Sequence, residues 1–329
     1  MNVLVTGGAG YIGSHAVRLL RRAGHRVVVV DNLSQGHREA VPADLPLYDL
    51  DLRRTAALEE ILAWEQIDSV MHFAALAAVG ESVAEPLRYY SNNVVGTLSL
   101  FDAMRAQGVR KIVFSSTCAV IGIPDVLPIV ETSAKQPINP YGWTKLTIEQ
   151  VLSDWATADR ELAYVALRYF NVAGCAADGS LGEDHHPETH LIPILLQVAL
   201  GKRPHVTVFG NDYSTPDGTC IRDYVHVDDL CEAHLLALKA MRPGTGAIYH
   251  VGIGRGYSVK EVIDAARRVT GHPIPARIDA RRPGDPPSLY AASEKIRSEL
   301  LWHPKFTDLD AIIQTAWDWF RSHPSGYRA

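Results

Sequence analysis

The chain has 329 residues, of which 47% are hydrophobic and 21% are charged, and its net charge is −5 at pH 7. This composition is typical of a globular protein, and the length is sufficient for one large α/β domain and a smaller lobe. The chain contains no basic run, so we expect neither nucleic acid nor a membrane as partner. The four cysteines form no CxxC pair and the chain enters an apolar strand without a basic leader, which predicts reduced thiols and a cytoplasmic location.

The first predicted strand, Asn2 to Thr6, leads into a glycine-rich turn and an amphipathic helix that ends near residue 22. Gly7 permits a tight turn, Gly10 lets the backbone approach a pyrophosphate, and Gly13 allows close packing of helix on strand. The helix N-terminus then faces the phosphates. A strand, a glycine triplet and a helix in this order predict a dinucleotide site.

A second apolar strand, Arg26 to Val30, ends at Asp31. A carboxylate at this position accepts hydrogen bonds from an adenosine ribose and repels a 2′-phosphate. The sequence therefore favours NAD over NADP.

Two more strands are predicted over 46–50 and 68–73. Asp51 follows the first of them, where it either contacts the adenine or lies in a solvated turn. The small residues Ala74 and Ala75 follow the second and would let the backbone pass close to a cofactor, whereas His72 is expected to be a packed structural residue.

A long helix is predicted over 86–106, and its internal polar pair, Asn92 and Asn93, costs helix propensity, so one of the two should hydrogen-bond another group. A fifth strand over 111–114 is followed by Ser115-Ser116-Thr117. The Thr117 hydroxyl is expected at the carboxyl end of the sheet, on the cleft side.

Tyr141 and Lys145 lie four residues apart at the start of a predicted helix that runs from Tyr141 to about Leu152. Residues at this spacing share a helix face, so the phenol and the ammonium can line one cleft. A nearby cation favours the phenolate and lowers the phenol pKa from its usual value of about 10. The pair is then suited to acid/base chemistry near neutral pH.

The second half of the chain contains predicted helices over 191–200 and 228–240, a strand over 247–251 that should return to the main sheet, a helix with a capping box at Ser258 and Glu261, and a last helix capped by Asp308. Its aromatic residues Trp317, Trp319 and Phe320 are expected to pack in the core or at a dimer contact. The histidines at 185, 186 and 190 match no common zinc spacing and have no cysteine nearby, so we expect no metal site.

Together, these motifs resemble the extended short-chain dehydrogenase/reductases. The closer similarity is to the UDP-glucose 4-epimerase family, and it extends over essentially the whole chain; it rests on the segments 3–8, 79–82, 167–171, 209–213, 221–227, 282–285 and 323–327. The resemblance implies a doubly wound parallel Rossmann-type α/β sheet with a smaller, interleaved C-terminal α+β substrate lobe. It also implies interconversion of UDP-glucose and UDP-galactose with tightly held NAD, a UDP-hexose as substrate, and a homodimer.

The resemblance assigns roles residue by residue. Tyr141 is implied as acid/base, Lys145 as its partner and a nicotinamide-ribose ligand, and Thr117 as a ligand of the sugar O4. The implied cofactor residues are Gly7, Gly10, Tyr11, Ile12, Gly13, Asp31, Asn32, Asp51, Leu52, Phe73, Ala74, Ala75, Asn92, Tyr141, Lys145 and Phe170. The implied substrate residues are Thr117, Tyr141, Asn171, His190, Leu191, Phe209, Arg222, Arg282, Asp285 and Leu289.

Four residues depart from patterns in that family. Ala77 replaces a lysine of many relatives, Ile121 replaces a tyrosine, which we interpret as altered packing, and His190 replaces an asparagine of some relatives. Leu289 falls at the position that gates sugar size, where a tyrosine restricts the pocket. We therefore hypothesise that N-acetylated UDP-sugars are also accepted; a pentose analogue is a further open substrate.

We expect the cofactor domain to comprise 1–172 with a return segment near 224–254, and the nucleotide-sugar lobe to comprise 173–223 and 255–329. The residues fit other functions less well. A 4,6-dehydratase usually has Asp-Glu directly after the threonine, where this chain has Cys118-Ala119. A net reductase would exchange NADPH, which Asp31 disfavours. A redox sensor or a structural binding module would not require Tyr141 with Lys145.

Overall fold

The structure is a computed structural model that describes residues 1–282 and 285–327. Pro283 and Gly284, part of the 282–285 motif, lie outside the described residues. The strands are β1 (Asn2–Thr6), β2 (Arg26–Asp31), β3 (Leu47–Asp49), β4 (Ser69–His72), β5 (Lys111–Ser115), β6 (Ala163–Tyr169), β7 (Asn171–Ala173), β8 (Val206–Phe209), β9 (Ile221–His226), β10 (Gly246–Val251), β11 (Gly256–Ser258), β12 (Ala276–Asp279) and β13 (Ser288–Leu289). The α-helices are α1 (Tyr11–Arg22), α2 (Thr55–Trp64), α3 (Val79–Ala84), α4 (Pro86–Tyr89), α5 (Gly96–Ala106), α6 (Pro140–Ala158), α7 (Leu191–Ala199), α8 (Val227–Ala240), α9 (Val259–Thr270), α10 (Glu294–Leu300) and α11 (Leu309–Ser322).

Seven strands form the main sheet in the order β10-β6-β5-β4-β1-β2-β3. All six neighbouring pairs are parallel, because the helices between consecutive strands carry the chain back to the same end of the sheet. The predicted doubly wound parallel sheet is confirmed. The predicted return strand is also confirmed, since β10 pairs with β6.

Apolar side chains cover both faces of this sheet. Along β1, Val3 and Val5 join one hydrophobic cluster and Leu4 joins the cluster on the opposite face. Successive side chains of a strand point to opposite faces, so the unbroken valine run of β2 is buried on both sides.

The carboxyl ends of the parallel strands meet at one edge of the sheet. Gly7 follows β1, Asp31 ends β2, Phe73 follows β4, Ser115 ends β5 and Phe170 follows β6. Ligands of open α/β sheets bind outside this edge, so the topology gathers segments that are far apart in sequence into one cleft.

The second lobe is built on two small sheets. In one, β9 pairs with β7, β11 and β13; the other contains β8 and β12. Tyr224 to His226 lie in β9 and therefore pair within this lobe, whereas the later strand β10 belongs to the main sheet. The two lobes therefore interleave along the chain. The exact domain boundaries stay a prediction. Trp317, Trp319 and Phe320 are buried in the lobe's hydrophobic core.

The predicted helix over 86–106 is interrupted. It consists of α4, a π-helical segment Tyr90–Val95, and α5. The capping box at Ser258 and Glu261 and the Asp308 cap are present as predicted. Helix α6 continues to Ala158, beyond the predicted end near Leu152.

Candidate active site

The glycine loop fits against the end of β4 because two of its residues lack side chains. Gly7 has φ +72°, and a Cβ there would lie 2.5 Å from the backbone nitrogen of Ala74. A Cβ at Gly13 would overlap the Gly7 carbonyl oxygen. The spacing of the glycines is thus required by backbone packing, which leaves the loop open toward the cleft.

The N-terminus of α1 is suited to an anion. Its N-cap is Gly10, and within the described chain no side chain caps the helix and no acidic residue lies in its first turn. The first-turn N–H groups, which include those of Tyr11 and Ile12, can therefore bind a pyrophosphate. This geometry fits the dinucleotide that the sequence predicted.

Asp31 lies at the end of β2 and is 8% exposed. Its two oxygens accept hydrogen bonds from the backbone N–H groups of Ala9 and Leu33, each at 2.9 Å. Burial raises the pKa of Asp31, although the two hydrogen bonds oppose that shift. The carboxylate is held rigidly between the glycine loop and the following turn.

The other predicted adenosine-side residues are more exposed. Asn32 is exposed after β2, and Asp51 and Leu52 are half-buried after β3. The Asp51 carboxylate accepts hydrogen bonds from the Arg53 side chain at 2.5 and 2.9 Å. An adenine contact by Asp51 stays a prediction.

Helix α6 brings Tyr141 and Lys145 to the end of β5. The Asn139 side chain caps the helix by accepting a hydrogen bond from the Gly142 N–H at 2.9 Å. Lys145 is buried, its Nζ donates to the Ser115 carbonyl oxygen at 2.8 Å, and Nζ lies 6.0 Å from the centre of the Tyr141 ring.

The pKa values of this pair differ from the expectation. Burial raises the pKa of Tyr141 to about 12, although a hydrogen bond with Thr117 partly lowers it. Burial lowers the pKa of Lys145 to about 7, and the charge of Glu149 opposes that shift. The expectation that Lys145 lowers the tyrosine pKa is therefore wrong for the chain alone, because both groups are desolvated and the ammonium is bonded to a carbonyl.

A buried network behind the pair was not identified from the sequence. Glu149 Oε1 accepts hydrogen bonds from the Ser116 hydroxyl at 2.6 Å and from Arg168 Nε at 2.8 Å. Oε2 accepts from Arg168 Nη2 at 2.5 Å, and the Arg168 side chain is fully buried. Ser116 lies between Ser115, the acceptor for Lys145, and Thr117, so the network fixes both. Glu149 follows Lys145 by four residues, and this spacing was the available signal.

Asn92 and Asn93, the polar pair inside the 86–106 segment, make different hydrogen bonds. Asn93 is buried; its side chain accepts from the Leu76 N–H at 2.8 Å and donates to the Leu76 carbonyl at 3.0 Å and to the Thr144 hydroxyl at 3.1 Å. Asn92, the predicted cofactor residue, is half-buried and donates a hydrogen bond to the Asn93 side chain at 3.0 Å.

His72 forms hydrogen bonds with Thr6 and Thr97 through its two ring nitrogens and is structural, as expected.

The second lobe contributes charged and apolar side chains. Arg222 and Asp285 form an ion pair. The Arg282 guanidinium lies 3.9 Å from the centre of the Phe209 ring.

Leu289 packs with Phe170 against the buried cluster of Val120, Ile121 and Ile129. This agrees with the interpretation of Ile121 as a packing change. Ala77 is exposed, and Asn171 begins β7.

His190 precedes α7 and belongs to a cluster of alternating charge. Its Nδ1 lies 3.0 Å from Glu183 and 3.1 Å from Glu188, and Nδ1 of His185 lies 3.3 and 3.6 Å from the same two carboxylates. Burial lowers the pKa of both histidines, but the carboxylates outweigh it and raise the pKa values to about 9 for His185 and about 10 for His190. Neither glutamate was identified from the sequence.

Comparison with known proteins gives a consistent result. Residues 3–252 match the family model described as the NAD dependent epimerase/dehydratase family. The chain is 52% identical over 328 residues to a UDP-glucose 4-epimerase of Halalkalibacterium halodurans, a match that covers 99% of this chain and 98% of that protein.

Solved structures agree with this match. A crystal structure of a UDP-glucose 4-epimerase superposes with a TM-score of 0.96 at 49% identity and covers 100% of both chains. A UDP-glucose 4-epimerase from Bifidobacterium longum, solved in complex with NAD⁺ and UDP, has a TM-score of 0.95 at 41% identity and covers 99% of this chain and 100% of its own.

Proposed function

The chain belongs to the NAD dependent epimerase/dehydratase family, and on that premise we propose that it interconverts UDP-glucose and UDP-galactose with NAD as a permanently held cofactor. The observation that carries this proposal is the convergence of Tyr141, Lys145 and Thr117 at the end of β5, on the edge of the sheet that also carries the glycine loop. It is supported by relatives of about 50% identity over the full chain that carry this activity in their names.

Tyr141 is the proposed acid/base. Its phenolate takes the proton from the sugar O4 during oxidation and returns it during reduction, while the Thr117 hydroxyl holds O4 within reach. Lys145 faces both the Ser115 carbonyl and the phenol, so it orients the site and supplies cationic charge when protonated. When bound, NAD⁺ would supply a positive charge, an acceptor for the hydride from C4, and the source of the hydride that returns to the sugar.

The cofactor and the nucleotide are proposed to be held by different lobes. Residues 1–172 with the return segment near 224–254 hold NAD through the glycine loop and Asp31. Residues 173–223 and 255–329 hold the UDP group, with Arg222 and Arg282 as planar cations suited to a diphosphate. A firm hold on UDP with few polar contacts to the sugar would let the 4-keto ring turn between the two hydride transfers.

The residues disfavour elimination of water by this chain. Cys118 and Ala119 occupy the positions at which 4,6-dehydratases usually have an acid/base pair. The Cys118 thiol is buried, and burial raises its pKa well above the usual value. Neither side chain can exchange a proton at neutral pH, which supports the epimerase reaction over the dehydratase one.

The test is to denature the purified protein, identify the dinucleotide that is released, and assay conversion of UDP-galactose with no cofactor added. We expect about one NAD per chain and turnover without added dinucleotide. If product formation instead consumed added dinucleotide mole for mole, the protein would be a net oxidoreductase and the proposal would be wrong.

We further propose a homodimer that forms through the helices of segment 86–106. Leu87, Tyr90, Val95 and Leu98 are large apolar residues that are 39–83% exposed along this segment. Leu87 and Tyr90 are three residues apart, as are Val95 and Leu98, which places the members of each pair on one face of the helical segment. The five-residue spacing from Tyr90 to Val95 keeps both pairs on the same face, because the π-helical turn adds one residue there. Exposed apolar stripes of this kind support an association surface.

The dimer is tested by light scattering after size exclusion. Leu87→Glu should give monomers, whereas Trp64→Glu, at an equally exposed residue on α2, should leave the mass unchanged. A monomeric wild-type chain would contradict the proposal.

We also propose a cytoplasmic location, which the four free, buried cysteines support. In the described part of the chain, none of the helices combines the length and apolar character needed to cross a membrane.

A further inference from the structure

Four side chains from one short segment converge beside the N-terminus of α7. They are Glu183, His185, Glu188 and His190, and one ligand-type atom from each lies within 4.8 Å of the other three. The sequence pattern concealed this cluster because two of its members are glutamates and the histidine spacing matches no common zinc motif. We propose that these four residues form a binding site for one divalent transition-metal ion of the zinc type.

The donor arrangement supports the proposal. Oε1 of Glu183 lies 3.0 Å from Nδ1 of His190 and 3.3 Å from Nδ1 of His185. Nδ1 of His185 lies 3.6 Å from Oε2 of Glu188, and Nδ1 of His190 hydrogen-bonds the other oxygen of Glu188, Oε1, at 3.1 Å. Donor atoms bound to one tetrahedral ion at about 2.0–2.2 Å lie about 3.3–3.6 Å apart. The two diagonal separations, Glu183 to Glu188 and His185 to His190, extend to at most 4.8 Å, so binding requires only a small contraction.

The directions of the polar groups point to a shared ligand. Glu183 Oε1 lies within 3.3 Å of both imidazole nitrogens, yet neither it nor Nδ1 of His185 has a hydrogen-bond partner among the described residues. At these distances, a missing hydrogen bond means that the ring nitrogens are not aimed at the oxygen. The Glu183 side chain is 4% exposed, and a buried carboxylate oxygen without a partner is costly. An ion at the centre of the cluster would satisfy both atoms.

Charge and access also fit. Without an ion, the two protonated imidazoles balance the two carboxylates. An ion that displaces both protons leaves two neutral imidazoles and a charge of −2, which a divalent cation neutralises. The mixed nitrogen and oxygen donors favour Zn²⁺, Co²⁺ or Mn²⁺ over Mg²⁺ and Ca²⁺, which prefer oxygen alone. Glu183, His185 and Glu188 line a surface cavity of about 460 Å³, through which an ion can enter.

A bound ion would have a structural role. The segment 183–190 joins the second-lobe core to α7, and His185 lies 6.2 Å, ring centre to ring centre, from Tyr11 in the dinucleotide loop. Fixing this segment would stabilise the folded chain.

The test uses tag-free, full-length protein stripped with a chelator and then dialysed. Co²⁺ titration should give the visible absorption of a tetrahedral site at about one ion per chain, with displacement by Zn²⁺ and none by Mg²⁺. Saturation with Zn²⁺ should raise Tm by about 3 °C or more. Glu183→Gln and His185→Gln should each weaken Co²⁺ binding by about 100-fold.

His186→Asn is the matched control. His186 is adjacent to His185 but is exposed and lies 3.4 Å from Asp184, outside the cluster, so this variant should bind Co²⁺ like the wild type. Circular dichroism and NAD content check that each variant is folded. A folded wild-type chain that gives neither the absorption nor the Tm shift would show that the four residues are an ion-pair network only, and equal binding by all variants would also overturn the proposal.

Discussion

In the main-sheet lobe, Lys145 faces a backbone carbonyl and a phenol, whereas in the second lobe Arg222 and His190 face carboxylates directly. Burial without a direct counter-charge lowers the Lys145 pKa to about 7, while the carboxylates raise the His190 pKa to about 10. Groups of the first kind can exchange protons near neutral pH. Groups of the second kind are charged at neutral pH when no ion is bound, and the Arg222 guanidinium is suited to holding a diphosphate.

The largest effect expected from a single substitution tests the charge that lies behind the proton-transfer pair. Glu149→Gln leaves the Arg168 guanidinium buried and unpaired, which should cost about 3–5 kcal/mol in the free energy of unfolding. The Lys145 pKa should also fall further, because Glu149 is the charge that raises it. Urea unfolding and the pH profile of kcat measure the two effects.

A double variant separates a positioning role from a purely structural one. Glu149→Gln with Arg168→Gln removes both buried charges, so it should regain part of the lost stability and still show a shifted pH profile. A profile equal to the wild type would mean that Glu149 acts only through folding.

Removing the proposed acid/base tests the main-sheet lobe directly. Tyr141→Phe should lower kcat by about 100-fold or more, or about 2.7 kcal/mol, as expected when a general acid/base is lost. NAD content and KM should change little, since the ring remains. Near-normal turnover in a variant that retains NAD would contradict the assignment.

Three buried histidines of the main-sheet lobe should make the stability of the chain depend on pH. His15, His72 and His234 are fully buried, and burial lowers their pKa values to about 4, 3 and 4. From pH 6.5 down to about 4 the unfolded chain binds protons that the folded chain does not, so stability falls as the pH falls, by about 2 kcal/mol per histidine at pH 5.

Urea unfolding between pH 7 and 5 checks this sign. A stability that rises toward pH 5 would mean that these three histidines are protonated in the folded chain.

The ion pairs of the second lobe should matter for binding rather than for chemistry. Arg222→Lys keeps the charge but loses the planar fork, so KM for UDP-galactose should rise about tenfold while kcat changes little. Arg281→Lys is the matched control, because Arg281 pairs with the exposed Asp212. An equal KM change in both variants would argue against a specific contact of Arg222.

The smallest effect concerns the sugar pocket. Leu289 lies in β13 beside Phe170, and its side chain leaves more room than a tyrosine would. We expect turnover of UDP-N-acetylgalactosamine beside UDP-galactose, and Leu289→Tyr should reduce the ratio of the two rates several-fold. Undetectable turnover of the N-acetyl sugar by the wild type would refute the hypothesis.

The sequence alone determined the features that depend on local patterns. Glycine spacing, apolar runs and capping residues identified the βαβ unit, the Ser258 and Asp308 caps and the start of the α6 helix, because each reflects a short-range backbone requirement. The spacing of Tyr141 and Lys145 was enough to place both on one helix face. The doubly wound parallel sheet was implied by the resemblance to a known family, and the strand order agrees with it.

Only the tertiary structure decided which side chains meet and what charge they carry. Glu149 contacts Arg168 and Ser116, and Glu183 approaches His190, through contacts between different elements or loop turns that sequence patterns do not specify. The prediction that Lys145 lowers the Tyr141 pKa fails for the same reason. Spacing on a helix gives proximity, but the pKa depends on desolvation by the surrounding fold, which here outweighs the nearby cation.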